Sequence, residues 1–321
     1  MSRQFSIIIP VKNEQVNIGL CLDSIGQLQW DKDKYEVIVV DNGSTDRTVE
    51  IAMQKGAAVY IKPGLTISGL RNYGASRASG EVLAFLDADC TIGCSWLANA
   101  SPYLQRKEVA CFGSPPIIPE DATWVQKAWF AVRKRSADIC DVDWLESMNM
   151  FVRRDAFSIS GGFDESLITC EDYDLSLRLK RIGSIVSDRS IVAVHHGEAS
   201  TVRHFFRKEL WRGKSNFSGM NRHGLTLSEI PSLLAPSFHC LIWISWFFSL
   251  LAGNLALIIV ISVFLIIWQT FLLVVCVRKL LPLESIVSLL QLHFLLNIYL
   301  FARGVGVFFS GRRKGATQCA A

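Results

Sequence analysis

Two carboxylates near position 88 have a spacing that suits metal chemistry. Asp87 and Asp89 are separated by one residue and follow the apolar run 82–86. If a strand continues through both, their side chains point the same way, and such a pair suits a divalent cation that in turn holds a diphosphate. An acidic turn that closes a strand is the alternative.

Polar residues also follow two other apolar runs. The first run leads into Lys12-Asn13-Glu14 and the second into Asp41-Asn42-Gly43-Ser44-Thr45-Asp46. Asp41 is a candidate to accept a hydrogen bond from a nucleobase, and a turn followed by a helix N-cap at Ser44 is the alternative. Arg71 is predicted in the first turn of a helix, where backbone N–H groups favour anions. It either meets a phosphate or pairs with an acid on the surface.

The segments that must position these residues alternate in type. Runs rich in β-branched residues predict strands over 6–9, 35–40, 58–61 and 82–86. Apolar spacing and capping residues predict helices over about 14–28, 46–55 and 69–79, with Ser68 as the cap of the last one. This alternation predicts an α/β fold with a mainly parallel sheet. Ligands bind at the carboxyl ends of such strands, so we expect the three acidic clusters on one edge of the sheet.

The second half of the chain contains a long stretch without charge. The 48 positions between Glu229 and Arg278 are uncharged, which is long enough for two membrane helices. We expect a cytosolic domain over 1–230, with a basic juxtamembrane segment at 203–222, and a membrane domain over 231–321. Its helices are predicted at about 237–252 and 255–277, and a third segment, 285–309, spans the membrane or lies in the interface.

The distribution of charge indicates the kind of partner. Residues 1–202 carry a net charge of −5, whereas 203–222 and 230–321 each carry +5. Basic residues next to apolar segments favour lipid headgroups or a polyphosphate ligand, and argue against nucleic acid. There is no secretory signal, and the nine scattered cysteines favour free thiols in a reducing compartment. A multi-pass protein of the cell (inner) membrane, with its large N-terminal part in the cytoplasm, is therefore expected.

Six sequence blocks resemble, in their order and spacing, the family 2 glycosyltransferases of GT-A fold. The blocks are Ser6–Glu14, Val37–Asp46, Leu70–Gly74, Ala84–Asp89, Gly161–Glu165 and Glu171–Leu175. The match runs from about residue 5 to residue 215. It implies a Rossmann-like, mainly parallel sheet flanked by helices, here followed by C-terminal transmembrane helices.

The resemblance implies transfer of a sugar from a nucleotide diphosphate sugar, with inversion at the anomeric carbon. A UDP-sugar is the default donor. By position, the donor-binding residues are Pro10, Glu14, Asp41, Arg71 and Asp87.

The resemblance also assigns the metal ligands. Mg²⁺ or Mn²⁺ is expected on Asp87 and Asp89, with Asp89 the more direct ligand. His195 is either a further ligand or a structural residue at a strand end. Adjacent histidines on a strand point to opposite faces, so only one of His195 and His196 is a candidate.

The catalytic base and a sugar contact follow from the last two blocks. Asp172 matches the base that takes the acceptor's hydroxyl proton, with Glu171 and Asp174 as its rivals. First-turn acids that interact with the helix dipole are the alternative interpretation of this cluster. Asp164, after two glycines, contacts a sugar or closes a plain turn.

Residues 206–214 depart from the pattern of processive synthases, which carry Gln-x-x-Arg-Trp. There is no Gln at the required place, although Trp211-Arg212 keeps an aromatic beside a cation. This argues against a polymer synthase. Trp211 and Arg212 are candidate substrate residues, and the basic side chains around them either reach the diphosphate or bind anionic lipid. A segment at 120–150 with three tryptophans and a helix over 125–135 forms an acceptor groove or packs in a core.

These observations predict a membrane-anchored glycosyltransferase. Its partners are a nucleotide sugar, an acceptor such as a polyprenyl-linked saccharide or glycolipid, and membrane lipids. A non-catalytic scaffold that has kept the fold is the alternative. A nucleotidyltransferase or a dinucleotide oxidoreductase is disfavoured, because Pro10–Glu14 lacks the glycines of a phosphate-binding loop.

Overall fold

The chain forms two compact units. The computed structural model describes residues 3–133, 137–167, 169–213, 230–281 and 285–308. The first unit contains the described residues up to Pro119 and from 137 to Gly197, and the second contains Glu120 to 133 and the described residues from Glu198 onward. Residues 214–222 of the predicted basic segment, and residue 309 of the third apolar segment, lie outside the described residues.

The described secondary structure consists of ten strands, eleven α-helices and two short 3₁₀ turns, at Lys32–Lys34 and Ser101–Leu104. The strands are β1 (Phe5–Val11), β2 (Tyr35–Asp41), β3 (Ala58–Ile61), β4 (Val82–Leu86), β5 (Cys90–Ile92), β6 (Val109–Gly113), β7 (Ile139–Asp141), β8 (Asn149–Arg153), β9 (Ser184–Asp188) and β10 (Ala193–His195). The helices are α1 (Asn17–Gly26), α2 (Thr48–Gln54), α3 (Ile67–Arg77), α4 (Trp96–Ala100), α5 (Trp124–Arg133), α6 (Arg154–Ser160), α7 (Glu171–Leu179), α8 (Val202–Gly213), α9 (Ile230–Ala252), α10 (Leu255–Lys279) and α11 (Ile286–Phe308).

The first unit is built on an eight-stranded sheet in the order β3-β2-β1-β4-β8-β6-β9-β7. The first four strands in this order are parallel, β8 runs antiparallel to both of its neighbours, and β6 and β9 are parallel. Strands β5 and β10 form a separate antiparallel pair. The prediction of an α/β fold with a mainly parallel sheet is therefore confirmed. In this arrangement β1, β2 and β4 end at the same edge, where the three acidic clusters follow them.

Burial explains why the central strands form where they do. All seven residues of β1 and all five of β4 are buried, as expected for strands covered on both faces. Helix α1 covers one face with Ile18, Cys21, Leu22 and Ile25, the face that its spacing predicts. The aromatic rings of Phe151, Trp96 and Phe112 pack together in the same core.

Two helix caps differ from the prediction. Thr66, not Ser68, caps α3, because the Thr66 hydroxyl accepts a hydrogen bond from the Gly69 N–H at 3.1 Å and the helix begins two residues earlier than expected. Arg71 therefore lies in the second helical turn and not in the first. Ser44 does not cap α2 either. Its backbone N–H and its hydroxyl both donate to Asp41, and the helix begins only at Thr48.

Helices α5, α8 and α11 pack together in the second unit. Val125, Phe205 and Leu295 form their shared apolar core, and the Trp129 ring lies 4.8 Å from the Phe205 ring and 5.1 Å from the Tyr299 ring, between centroids. Trp129 is thus a core residue of this unit, as one of the two interpretations of its segment predicted.

Three helices of the second unit are long and apolar enough to cross a membrane: Leu234–Ala252, Leu255–Lys279 and Ile286–Gly306. Polar side chains join them. Trp268 of α10 donates to His239 of α9 at 3.0 Å, and Gln269 of α10 donates to Asn297 of α11 at 3.0 Å. Such hydrogen bonds are a common means of holding apolar helices together in a bilayer.

Candidate active site

An open cleft of about 220 Å³ lies at the carboxyl ends of the parallel strands. Pro10, the penultimate residue of β1, lines it together with residues that follow β1, β2 and β4: Lys12, Glu14, Asn42, Asp87 and Asp89. The structure thus brings the predicted clusters to one place. Burial and the negative charges of Asp89, Asp46 and Asp87 raise the pKa of Glu14, so the cleft is electrostatically suited to a cation.

Asp89, Cys90 and His195 form a group whose ligand atoms all lie within 4.8 Å of one another. The pairing of β5 with β10 places Cys90 opposite His195, and the His195 Nε2 is 3.0 Å from the Asp89 Oδ2. His196 points elsewhere and contacts the Thr91 hydroxyl at 2.9 Å. One carboxylate, one imidazole and one thiol in this proximity are donors that divalent transition metals accept.

Gly197 lies against the Asp89 carboxylate. A Cβ atom at this position would stand 1.8 Å from the Asp89 Oδ2 and 3.1 Å from the His195 Nε2. Only a glycine leaves room for the carboxylate here. The sequence analysis did not identify Gly197, although a glycine directly after two histidines signals a close approach of the backbone.

The strand that precedes Asp87 and Asp89 does not continue through them, so the condition for their sharing one direction is not met, and the two carboxylates have different partners. Strand β4 ends at Leu86, and the Cys90 N–H donates to the Asp87 carbonyl across a turn. The Asp87 carboxylate consequently faces Arg71, whereas that of Asp89 faces His195.

Arg71 bridges two acids of the site. Its Nη2 is 2.8 Å from the Asp87 Oδ1 and its Nη1 is 2.9 Å from the Glu171 Oε1. The guanidinium is almost completely buried, with only 3% of the side chain exposed. Paired in this way, Arg71 links the carboxyl end of β4 to the first residue of α7.

Asp172 is an acid in the first turn of α7 whose pKa is raised. Burial, together with the negative charges of Glu171 and Glu146, raises the pKa of Asp172 to about 7. Its Oδ1 accepts a hydrogen bond from the Tyr173 N–H at 2.8 Å, which partly opposes this effect. A carboxylate that titrates near neutral pH is well matched to general-base chemistry.

Asp174 has a structural partner. It is buried and forms an ion pair with Arg178, which also donates to the Gly162 carbonyl at 2.6 Å. This arrangement ties α7 to the turn before it.

The turn that carries Asp164 is fastened to α3. The Asn72 amide both accepts from the Phe163 N–H at 2.9 Å and donates to the Phe163 carbonyl at 2.8 Å. Asp164 itself accepts from the backbone and the hydroxyl of Ser166. Asp164 therefore closes a turn, and its contact with a sugar stays a prediction.

Asp41 is completely buried and holds the turn after β2. Its two carboxylate oxygens accept from the backbone N–H and the hydroxyl of Ser44. The neighbouring residue Asn42, and not Asp41, lines the cleft. A direct contact between the Asp41 carboxylate and a nucleobase would require this turn to open.

Trp211 and Arg212 belong to the second unit, on α8. Arg212 is 2.7 Å from the Glu209 carboxylate, and Arg303 of α11 pairs with the other oxygen of Glu209 at 2.8 Å. Glu209 is only 1% exposed, so a buried carboxylate holds both cations. Trp211 is 38% exposed. The roles of Trp211 and Arg212 in substrate binding stay predictions.

Comparison with known proteins identifies the family. Residues 6–161 match the sequence model for glycosyl transferase family 2. The chain is 32% identical over 201 residues to glycosyltransferase AglE of Haloferax volcanii, covering 59% of this chain and 66% of that protein. It is 28% identical over 192 residues to a beta-monoglucosyldiacylglycerol synthase of Nostoc, covering 54% and 40%. The match thus covers 66% of the length of the first of these relatives and 40% of the length of the second.

A solved structure supports the same fold. The mannosyltransferase PcManGT of Pyrobaculum calidifontis, in complex with GDP-Man and Mn²⁺, aligns with a TM-score of 0.64 at 18% identity, over 97% of this chain and 89% of that one. Together with the cleft at the strand ends, these similarities show that this chain carries a family 2 glycosyltransferase domain of GT-A fold.

Proposed function

We propose that this protein is an inverting glycosyltransferase that uses a nucleotide diphosphate sugar and a membrane-associated acceptor. In the reaction, an acceptor hydroxyl oxygen bonds to the anomeric carbon while the bond from that carbon to the diphosphate oxygen breaks. The hydroxyl proton goes to a carboxylate, and the nucleoside diphosphate leaves. The observation that carries the proposal is the separation of two acidic sites in one unit, Asp89 with His195 and Glu171 with Asp172.

Asp172 is the proposed base. The pKa of its carboxyl, raised to about 7, lies near the pH at which such proteins work. The other two candidate bases form ion pairs, Glu171 with Arg71 and Asp174 with Arg178. Arg71 is proposed to act through these pairs, by fixing the distance between the base region and the end of β4.

Asp89 and His195 are the proposed holders of Mg²⁺ or Mn²⁺, with Asp87 nearby. The donor set fits such an ion, because a carboxylate and an imidazole approach to 3.0 Å and Gly197 leaves room for the carboxylate in that position. When bound, a divalent ion neutralises the charge that grows on the departing diphosphate. The residues of the chain contribute by holding the acids in place before the donor arrives.

The nucleotide is proposed to lie along the cleft formed by Pro10, Glu14 and the turn that Asp41 holds. Asp87 borders the cleft and is already paired with Arg71, so these two residues are proposed to fix the diphosphate end of the site. UDP-sugars are the first donors to test, and GDP-mannose is the second because PcManGT was solved with GDP-Man.

The acceptor is proposed to be held in or on the membrane. Three helices of the same chain are apolar enough to span a bilayer, and Arg278 and Lys279 lie at the end of α10. Basic residues at a helix end favour the cytoplasmic side, where we also place the first unit. Attachment to the membrane raises the local concentration of a lipid-linked saccharide or glycolipid acceptor.

The proposal is tested by following nucleotide release from purified, detergent-solubilised protein. UDP- and GDP-sugars are offered with Mn²⁺, with Mg²⁺ or with chelator, and membrane lipid extract supplies the acceptor. We expect release from one donor that requires metal and is lost in Asp89→Asn and Asp172→Asn. Asp143→Asn removes a carboxylate whose side chain is 72% exposed and is the matched control, expected to behave as wild type. Donor binding without turnover in the wild type would instead indicate a scaffold.

A further inference from the structure

Glu146 is a buried acid in the acidic part of the site that has no role in the proposed reaction. Its residue surface is only 9% exposed, and its Oε2 is a buried oxygen that receives no hydrogen bond from the described residues. A polar oxygen buried without a hydrogen-bond donor destabilises a folded protein, so such groups are rare unless a ligand or water completes them.

The position of Glu146 in the fold is fixed on both sides. The Leu145 N–H lies 3.4 Å from the Ser176 hydroxyl of α7, and the Asn149 N–H donates to the Glu146 carbonyl at the start of β8. The rings of Trp144 and Tyr173 make an edge contact, with centroids 6.2 Å apart. The segment before β8 therefore runs along the first turns of α7, and the Glu146 carboxylate lies close enough to that of Asp172 to affect its protonation.

The charges around Asp172 are unfavourable for an anionic nucleophile. Three carboxylates, those of Glu146, Glu171 and Asp172, lie in this region. Among the described residues, the Arg71 guanidinium is a cation that contacts this region, where its Nη1 binds Glu171, while its Nη2 binds Asp87 and its buried Nε has no partner. One guanidinium does not balance the three carboxylates. A phosphate entering here would meet an excess of negative charge, whereas a neutral hydroxyl would find oxygens that need donors.

We infer that Glu146 is an acceptor-binding residue that receives a hydrogen bond from a hydroxyl next to the one that attacks, so that the acceptor is a neutral sugar or polyol with neighbouring hydroxyls and not a lipid phosphate. The inference rests on the proposed function, in which Asp172 takes the proton of the attacking hydroxyl. Glu146 positions the acceptor through the second hydroxyl and leaves the proton transfer to Asp172.

The acceptor class is tested first on the wild-type protein. Octyl glucoside, whose ring carries neighbouring hydroxyls, and a short-chain polyprenyl monophosphate are offered as acceptors with the donor that supports nucleotide release. We expect transfer to octyl glucoside and none to the polyprenyl phosphate. Transfer to the phosphate at an equal or higher rate would overturn the inference. Absence of nucleotide release from every donor, with or without acceptor, would contradict the proposed function itself.

The role of Glu146 is tested with Glu146→Gln, which keeps the side-chain volume. The amide replaces a charged acceptor by a neutral one and introduces an NH2 group, and the weaker hydrogen bond predicts a rise of the KM for octyl glucoside of roughly 10- to 100-fold, with a much smaller change in the KM for the donor. Asp143→Asn in the same segment is the matched control and should change neither constant. Deoxy analogues of octyl glucoside, each lacking one hydroxyl, extend the test.

With one of these deoxy acceptors, the activity of the wild type should fall as far as the activity of Glu146→Gln falls with octyl glucoside itself. When this deoxy acceptor is given to Glu146→Gln, the activity should fall little further. Equal KM values for wild type and Glu146→Gln would overturn the assignment and leave Glu146 as a residue hydrated by a structural water only. Additive losses with every deoxy acceptor would also overturn it, because residue and hydroxyl would then act independently.

Discussion

Replacing Gly197 by alanine should disturb the Asp89–His195 pair without unfolding the domain. The new Cβ would lie 1.8 Å from the Asp89 Oδ2, whereas Cβ contacts below 3.0 Å essentially do not occur, so the carboxylate oxygen must move by at least 1.2 Å. Protein ligands to a metal tolerate deviations of only about 0.2 Å. A shift of this size therefore moves the Asp89 carboxylate away from the position in which it could hold a metal ion together with His195.

The stability of Gly197→Ala should remain close to that of the wild type. The atoms that must give way are at the end of the Asp89 side chain, which is 22% exposed and can rotate toward the cleft. We expect a change in the free energy of unfolding of less than about 1 kcal/mol, similar to substitutions that touch no core. Metal affinity should fall by roughly 10- to 100-fold and turnover by about 100-fold.

The assay is calorimetric titration of Mn²⁺ into protein saturated with nucleoside diphosphate, followed by nucleotide release. Gly93→Ala is the matched control, because a Cβ at Gly93 meets no atom within 4 Å. The double variant Gly197→Ala with Asp89→Asn should be little worse than Asp89→Asn alone, since both act through one carboxylate. Wild-type Mn²⁺ affinity in Gly197→Ala would refute the assignment of Asp89 as a metal ligand.

Three further predictions follow from the same contacts. Burial and the charge of Glu171 raise the pKa of Asp172 to about 7, and a base must be deprotonated to act. The kcat/KM should therefore fall about tenfold per pH unit below pH 7 and level off above it. Initial rates between pH 5.5 and 8.5 check this, and a flat profile would contradict it. Arg71→Met leaves the Asp87 and Glu171 carboxylates without their cation, so the free energy of unfolding measured with denaturant should fall by about 3 kcal/mol. Arg106→Met, in an exposed ion pair, is the control and should cause no measurable loss. A loss below about 1 kcal/mol for Arg71→Met would be inconsistent with the bridge. Gly304→Ala places a Cβ 2.5 Å from the Pro236 carbonyl oxygen and 2.5 Å from the Cys240 sulfur. Thermal unfolding in detergent should therefore show a loss of stability of about 1–3 kcal/mol, which the control Gly26→Ala should not show. An unchanged midpoint would mean that α9 and α11 are less closely packed.

The sequence predicts the central sheet well because burial dominates there. Strands such as Val82–Leu86 are short, continuous apolar runs, which is the pattern of a strand covered on both faces. Helix starts are harder to predict, since several side chains compete for the same N–H groups. Thr66, and not Ser68, accepts the capping hydrogen bond of α3, and the Ser44 hydroxyl donates to Asp41 instead of capping α2.

The site residues could be predicted by type but not by partner. The spacing of Asp87 and Asp89 suggested one shared ligand, yet the turn between β4 and β5 directs them to Arg71 and to His195. The bridge from Arg71 to Glu171 joins residues 100 positions apart, and no local pattern encodes such a contact. Gly197 and Glu146 were missed because their significance depends on atoms brought near them by folding.

Transfer of a sugar with inversion at the anomeric carbon can be followed directly by NMR. Protein is incubated with Mn²⁺, membrane lipid extract and a nucleotide sugar labelled with ¹³C at the anomeric carbon, and the lipid fraction is examined by NMR. We expect the label in a glycosidic product whose one-bond carbon–hydrogen coupling reports the anomeric configuration opposite to that of the donor. Label that stays on the nucleotide, or a product with the donor's configuration, would contradict it.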